Sequence, residues 1–155
     1  MRLFRIAPEK FCADLSGTGA RLFGGRWTPR GVPAIYTSES PALAALEVLV
    51  HLPVDIAPER LALVEVEVPD SPKVETVGLA GLDKGWDAYP YRSPTVRIGE
   101  GWARKNKALA LKVPSAILPY GKGWNFILNP LHPEFGRVKV IGQESFSFER
   151  RPLRR

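Results

Sequence analysis

The sequence predicts an α+β fold, built on a mainly antiparallel, split or curled β-sheet with a few helices. Two observations support this prediction. Segments of strand type dominate the order along the chain, and two helical segments lie between them. Glycine and proline contribute 14 and 15 of the 155 residues and occur throughout, so the elements are expected to be short and separated by turns.

The first elements lie on either side of a glycine-rich region. A strand is predicted over residues 3–6, and Pro8 ends it. The glycine-rich stretches 16–19 and 23–25 follow, and their backbone is free to turn sharply or to approach a ligand closely. A short apolar segment at residues 34–37 predicts the next strand.

Two helices are predicted. The first begins at Ser40 and Pro41, because serine caps free N–H groups and proline suits the first helical position. It is expected to continue through an apolar run to His51. The second helix is predicted over residues 93–109, although its two glycines weaken it near the start.

The remaining segments predict strands. Residues 63–68 alternate apolar side chains with Glu65 and Glu67, which indicates a strand with one solvent-facing side. Later strands are predicted at residues 115–118, 124–128, 138–141 and 146–148.

Composition excludes several classes of protein. The single cysteine, Cys12, excludes a disulfide within the chain and a zinc site built on several thiolates. The two histidines, His51 and His132, lack metal-ligand spacing, so no metal site is predicted. No apolar run reaches the ~20 residues of a membrane helix, and the N-terminus has no signal-peptide pattern. A cytoplasmic protein without membrane association is expected.

The charge favours an anionic partner. Lys and Arg number 22 against 16 Asp and Glu, which gives a net charge of +6. Nucleic acid, a phosphorylated small molecule or an acidic protein surface would each fit this excess. Part of it is local, because residues 150–155 form a basic tail with four arginines. Residues 1–155 as a whole are expected to form one domain.

Glu47 is the most informative single residue. It is the only polar side chain between Ala42 and Val50, in an otherwise apolar helix. A carboxylate in apolar surroundings is costly unless it is paired or functional. The pattern therefore leaves two readings open: a catalytic carboxylate, or a structural ion pair with an arginine.

Arg26 follows two glycines and precedes Trp27. The glycines let the backbone come close to a ligand while the guanidinium holds an anionic group, so a phosphate or pyrophosphate site is one interpretation. The other is an arginine stacked on Trp27, with the glycines serving a turn. The glycine spacing matches neither the P-loop nor the dinucleotide-binding fingerprint.

Arg5 and Tyr36 are further candidates. Arg5 lies between the apolar Phe4 and Ile6 of the first strand, so it is expected to be partly buried, with either Glu47 or a ligand as partner. Tyr36 precedes the Glu47 helix and has two interpretations: stacking on a planar ligand ring, or a core position with its hydroxyl in water.

Seven short segments that follow one another along nearly the whole chain belong together: LFRI (3–6), LSGTGA (15–20), GGRW (24–27), GVPAIY (31–36), ALEVLVH (45–51), VPSAI (113–117) and NFILNPLHP (125–133). In this order they resemble the RES domain, a family named for an Arg, a Glu and a Ser. Thr28 departs mildly from the family pattern, in which asparagine is common after Gly-Arg-Trp.

The resemblance implies a bacterial toxin of a type II toxin–antitoxin system, with an Xre-type antitoxin as partner. RES toxins resemble ADP-ribosyltransferases in fold and act on NAD⁺ as substrate, with inorganic phosphate as co-substrate in the phosphorolytic version and no separate cofactor. By position it implies an NAD⁺ site in which Glu47, Tyr36 and Arg26 are catalytic. Arg5, Arg26, Tyr36 and Ser115 are its implied substrate-binding residues, and Ser115 would support either Glu47 or the nicotinamide amide.

Three functions are compared. The leading prediction is an NAD⁺ glycohydrolase or phosphorylase that cleaves the nicotinamide–ribose bond. A protein ADP-ribosyltransferase using the same residues is the first alternative. A basic nucleic-acid-binding module is the least favoured, because the four tryptophans form no basic–aromatic stacking pattern.

Overall fold

A computed structural model describes residues 1–51, 60–70, 72–90 and 93–148 of the chain. This part contains seven strands and three α-helices. The helices are α1 (Thr18–Phe23), α2 (Pro41–Leu49) and α3 (Ser93–Lys105). The strands are β1 (Arg2–Pro8), β2 (Ile35–Ser38), β3 (Leu61–Glu67), β4 (Val74–Thr76), β5 (Ala110–Pro114), β6 (Trp124–Leu128) and β7 (Lys139–Phe146). The basic tail predicted at residues 150–155 lies outside the described residues.

The strands join into one sheet with the order β4-β5-β6-β2-β1-β3-β7. The short edge strand β4 runs parallel to β5, and every other pairing between described strands is antiparallel. This confirms the predicted α+β class with a mainly antiparallel sheet. The central strands β2 and β6 pair with Ser38 opposite Asn125, which matters for the site described below.

Two clusters of buried side chains hold the sheet together. One spans the strands β1, β2, β3, β5 and β6 and includes Leu3, Ile35 and Val64. The other gathers around Trp27 and Trp102, against apolar residues of β5 and β6. Because Trp27 follows the glycine-rich segment directly, the second cluster fixes that segment against the sheet.

Helix α3 approaches the backbone of Trp27 more closely than any side chain permits. A Cβ placed on Gly99 would lie 1.6 Å from the Trp27 carbonyl oxygen. A Cβ placed on Gly101 would meet no heavy atom within 4 Å. Two glycines weakened the helix prediction from the sequence. Packing requires the one at residue 99 and does not require the one at residue 101.

The prediction was wrong between residues 105 and 118. The helix ends at Lys105, where Asn106 adopts a left-handed φ of 49° and its N–H donates to the Trp102 carbonyl at 3.1 Å. The apolar run that follows forms strand β5, so the strand predicted over residues 115–118 is displaced. Ser115 begins a turn instead, and its N–H donates to the Gly123 carbonyl at 2.8 Å.

Three further features of the structure differ from the prediction. The strands predicted at residues 138–141 and 146–148 are the single strand β7, whose pairing with β3 shifts register next to Gly142. Helix α1, within the glycine-rich region, and the edge strand β4 were not predicted. No helix in the described ranges is long and apolar enough to cross a membrane.

Candidate active site

A cleft of about 1070 Å³ opens between β1, the glycine-rich segment, β2, α2 and the loop that precedes α3. Four of the residues predicted from the sequence line it together: Arg5, Arg26, Tyr36 and Glu47. Its volume lies just above the ~300–1,000 Å³ range typical of small-molecule sites. The fifth predicted residue, Ser115, is 1% exposed and lies behind the wall, in contact with Glu47.

Local structure explains why Glu47 lies between the core and the cleft. The Ser40 hydroxyl accepts a hydrogen bond from the Leu43 N–H at 3.2 Å and Pro41 occupies the first turn, as predicted for the start of α2. Leu43 and Ala44 are buried. Glu47 follows them by one helical turn, so it is on the same side of α2, where it is half-buried and lines the cleft.

Neutral donors hold the Glu47 carboxylate. The Ser115 hydroxyl donates to Oε1 at 2.8 Å, and the Asn125 side-chain amide donates to the same oxygen. Among the described residues Glu47 forms no ion pair. The structural reading, in which Glu47 neutralises Arg5, is therefore not supported.

Arg5 reaches the cleft from β1. Its Nη1 donates to the backbone carbonyl of Asp14 at 2.9 Å. Burial lowers the pKa of Arg5, an effect opposed by the nearby Asp14 and Cys12. The pKa of Asp14 is also lowered, first by its hydrogen bonds from Ser16 and to a smaller extent by Arg5. The half-buried guanidinium thus lies on the cleft wall, and no carboxylate within the described part of the chain is hydrogen-bonded to it.

Arg26 organises one wall of the cleft. Its Nη1 donates to the carbonyl oxygens of Trp86 at 2.8 Å and Ala88 at 3.1 Å. The rings of Trp27 and Trp86 also contact each other, with centroids 5.9 Å apart. Arg26 and Trp27 therefore anchor the loop before α3, and binding of a phosphate by Arg26 stays a prediction.

This anchoring role predicts the effect of Arg26→Ala. The change removes two charge-assisted hydrogen bonds, each worth about 1.5–3 kcal/mol. We expect amide hydrogen exchange of residues 85–90, measured by mass spectrometry, to accelerate about tenfold or more, while β3 and β7 keep wild-type rates. Arg30→Ala is the control, because Arg30 is an exposed arginine of the same segment. Unchanged exchange in residues 85–90 would contradict the role.

Tyr36 is fixed on the cleft wall through its hydroxyl. The hydroxyl oxygen accepts from the Trp27 N–H at 3.2 Å and lies 2.9 Å from the Thr28 hydroxyl. Gly25 packs against the ring, since a Cβ on residue 25 would lie 2.6 Å from that oxygen. The departure at Thr28 thus has a structural consequence, because the buried threonine is a hydrogen-bond partner of Tyr36.

Sequence reasoning missed two residues of the site. Asn125 and Ser38 both line the cleft, and the Ser38 hydroxyl donates to Asn125 Oδ1 at 2.7 Å. Asn125 occurs in a family segment but carried no sequence signal of its own. His51 is exposed and lines the cleft near Tyr89, with the centroids of the two rings 6.5 Å apart. The described residues contain no cluster of three or more potential metal ligands.

Comparison with known proteins establishes the family. Residues 2–150 match the family model described as the RES domain. The chain belongs to the RES domain family. A RES relative named "Prs ADP-ribosylating toxin", from Sphingobium sp., is 39% identical over 92% of this chain and 88% of its own length. A "Toxin Res" from Pseudomonas putida is 41% identical over 90% of this chain and 92% of its own.

A solved structure supports the fold independently of close sequence identity. The RES domain superposes with a TM-score of 0.74 on a chain from the crystal structure of the M. tuberculosis MbcT-MbcA toxin–antitoxin complex. The match covers 94% of this chain and 84% of that chain, at 21% identity. At this identity the likeness shows a shared fold.

Proposed function

We propose that this RES domain is the toxin of a toxin–antitoxin pair and that it consumes NAD⁺ by cleaving the nicotinamide–ribose bond. The observation that carries the proposal is the Glu47 carboxylate, held by Ser115 and Asn125 at the wall of a large cleft. Two arginines and a tyrosine line the same cleft, Arg5, Arg26 and Tyr36. These groups match a dinucleotide that carries a pyrophosphate, a ribose and a planar cationic ring.

Glu47 supplies the charge that the reaction requires. As the bond to nicotinamide breaks, its electron pair leaves with the ring and positive charge develops on the ribose. A fixed carboxylate stabilises that charge and accepts a hydrogen bond from a ribose hydroxyl. Apolar residues of α2 around Glu47 reduce screening by water and strengthen the interaction.

The other residues bind and orient the dinucleotide. Arg5 and Arg26 are the candidates for the pyrophosphate, because guanidinium groups bind phosphate oxygens in a bidentate manner. Tyr36 provides a ring on which nicotinamide stacks. Ser115 acts through Glu47, since its hydroxyl is buried and donates to the carboxylate. Water as acceptor gives ADP-ribose and a proton, and inorganic phosphate gives ADP-ribosyl phosphate.

A protein acceptor is the second candidate, and one relative favours it. The Sphingobium relative is named an ADP-ribosylating toxin. Transfer to a protein breaks the same nicotinamide–ribose bond and uses the same carboxylate, so the cleft is compatible with both reactions.

Identification of the products tests the proposal. Purified protein is incubated with NAD⁺, with and without inorganic phosphate, and proton and phosphorus NMR follow the products. We expect free nicotinamide in stoichiometric amounts together with ADP-ribose or, with phosphate, ADP-ribosyl phosphate. Label from NAD⁺ that appears mainly on proteins of a cell extract would favour the transferase instead. Absence of nicotinamide release without phosphate, with phosphate and in the presence of cell extract would overturn the proposal.

An antitoxin is the proposed partner, and the family implies one of the Xre type. The structural neighbour was solved as a toxin–antitoxin complex, and the curated relatives are named toxins. We expect a bound antitoxin to suppress NAD⁺ consumption in the cytoplasm, where toxin, antitoxin and substrate would meet.

Tyr36→Ala tests the stacking role. Stacking of an aromatic side chain on a base is worth about 1–3 kcal/mol, so we expect kcat/KM for NAD⁺ to fall about 5- to 150-fold. Tyr36→Phe is the matched control, because it keeps the ring and removes the hydroxyl, which contacts Trp27 and Thr28. Equal losses in both variants would show that the hydroxyl, and not the ring, is the important group.

A further inference from the structure

A continuous chain of hydrogen bonds passes through the candidate catalytic carboxylate. Ser38 of β2 donates to Asn125 Oδ1 at 2.7 Å, and Asn125 of β6 donates through Nδ2 to Glu47 Oε1. On the other side, Ser115 donates to the same Oε1 at 2.8 Å. Four separate segments of the chain therefore take part in this hydrogen-bonded chain, and two of them, β6 and the turn at Ser115, donate directly to Oε1.

The Ser115 arm has only one possible direction. The Ser115 hydroxyl oxygen accepts from the N–H groups of Ile117 at 3.1 Å and Leu118 at 3.4 Å. These two bonds use its acceptor capacity, so its single proton is left for Glu47. Ser115 is thus an obligate donor to Oε1.

The Asn125 arm is directional for a related reason. A carboxylate oxygen accepts hydrogen bonds and has no proton to donate, so the Asn125 amide must present its N–H₂ group to Glu47 Oε1. Its oxygen then faces Ser38, whose hydroxyl donates to it. The Ser38 hydroxyl therefore opposes a flip of the amide, because the flipped amide would direct an oxygen at the carboxylate.

The sheet provides a rigid support for this arm. Ser38 and Asn125 are directly opposite each other in the antiparallel pairing of β2 and β6, at the centre of the sheet. Ser38 is 4% exposed. Groups on paired central strands hold a site more accurately than groups on loops do.

We propose that Ser38 and Asn125 are positioning residues that, together with Ser115, keep Glu47 Oε1 as an acceptor only and leave Oε2 as the oxygen that meets the ribose of NAD⁺. This inference rests on the proposed function. It adds that the two oxygens of the carboxylate have different roles: Oε1 anchors the side chain to the protein, and Oε2 is left for the substrate. Neither Ser38 nor Asn125 needs to touch the reacting atoms for this role.

Asn125→Asp is the decisive variant, because it exchanges one N–H₂ group for an oxygen of similar size. At neutral pH it places a second carboxylate against Glu47, and we expect kcat to fall about 100-fold with KM changed less than threefold. At acidic pH the new carboxyl group is protonated, donates its O–H to Oε1 and restores the arm. The pH profile of kcat is therefore expected to move toward acid relative to that of the wild type.

The control for the pH profile is Asn129→Asp. Asn129 is a buried amide next to β6, whose side chain donates to Asn106 Oδ1 and accepts from the Leu131 N–H, away from Glu47. We expect this variant to keep the wild-type pH profile. The other titratable groups that line the cleft are the same in all variants, so a difference between pH profiles reports on the new carboxyl group. These unchanged groups are Arg5, Asp14, Arg26, Tyr36, His51, Asp87 and Tyr89.

Ser38→Ala provides a second test in case Asn125→Asp does not fold. Loss of the hydroxyl lets the amide flip, so we expect kcat to fall about tenfold with little change in KM, and Ser38→Thr to regain part of it. Wild-type kcat and an unshifted pH profile in Asn125→Asp, or wild-type kcat in Ser38→Ala, would overturn the inference.

The failure of this inference is distinguishable from failure of the proposed function. If the wild type releases nicotinamide and the variants keep its kcat and pH profile, the positioning role alone is refuted. If the wild type releases none, the proposed function fails, and NMR of the free protein still tests the arm. The Asn125 side-chain amide protons are then expected to shift on Ser38→Ala, and unchanged resonances would refute the arm.

Discussion

Glu47→Gln is expected to reduce NAD⁺ consumption about 100- to 1,000-fold, the usual cost of removing one electrostatic group from a transition state. The fold should tolerate the change, because both donors to Glu47 bind Oε1 and a glutamine carbonyl accepts the same bonds. The melting temperature is expected to stay within about 4 °C of the wild-type value. Nicotinamide release and thermal unfolding, measured on the same preparations, separate the two effects.

The matched control for this prediction is Glu75→Gln. Glu75 is an exposed glutamate on the edge strand β4, outside the cleft, and should keep wild-type turnover. A Glu47→Gln variant that retains turnover would remove the carboxylate from the mechanism. A large drop in melting temperature would instead show that Glu47 is mainly structural.

Gly99→Ala is expected to be the most destabilising single-methyl change in helix α3. The added Cβ would lie 1.6 Å from the Trp27 carbonyl oxygen. The backbone fixes the position of both atoms, so no change of side-chain rotamer can relieve the clash. Overpacking costs about 1–3 kcal/mol, and we expect a loss near the upper end. In a domain of this size, that corresponds to a drop of about 6–12 °C in melting temperature.

Gly101→Ala is the natural comparison, because it lies in the same helix and its Cβ would meet nothing within 4 Å. Alanine there gains about 0.5–1 kcal/mol over glycine through the backbone entropy of the unfolded chain. Opposite signs for the two variants, measured by thermal and denaturant unfolding, are the expected result. Equal effects would show that α3 does not press on Trp27.

The sequence predicted features that depend on near neighbours along the chain. Ser40 and Pro41 start α2 as expected, and Glu47, for which a catalytic carboxylate and a structural ion pair were both left open, lines the cleft. The strand order and the end of α3 depend on contacts between distant residues and on backbone conformation, which the local pattern does not contain. Asn106 closes the helix through a left-handed conformation, which a residue count toward Leu109 does not reveal.

The support of Glu47 depends on contacts across the sheet and was therefore missed in part. Ser115 was recognised through the family resemblance, while Asn125 and Ser38 carry no local pattern that marks them. Their bond joins strands separated by 87 positions in the chain. Only the register of β2 against β6 brings them together, and that register is a property of the whole sheet.

The short stretch from Gly25 to Trp27 is fastened from three directions: by the Tyr36 ring, by the loop bound to Arg26, and by helix α3. The location of the Arg26 guanidinium is therefore set in part by helix α3 and by the loop before it, in addition to the Tyr36 ring of the cleft. Substitution of the glycine before Arg26, the tryptophan after it or Gly99, more than seventy positions away, is therefore expected to displace Arg26. Sequence drift in this protein should be slow at places where no ligand is ever touched.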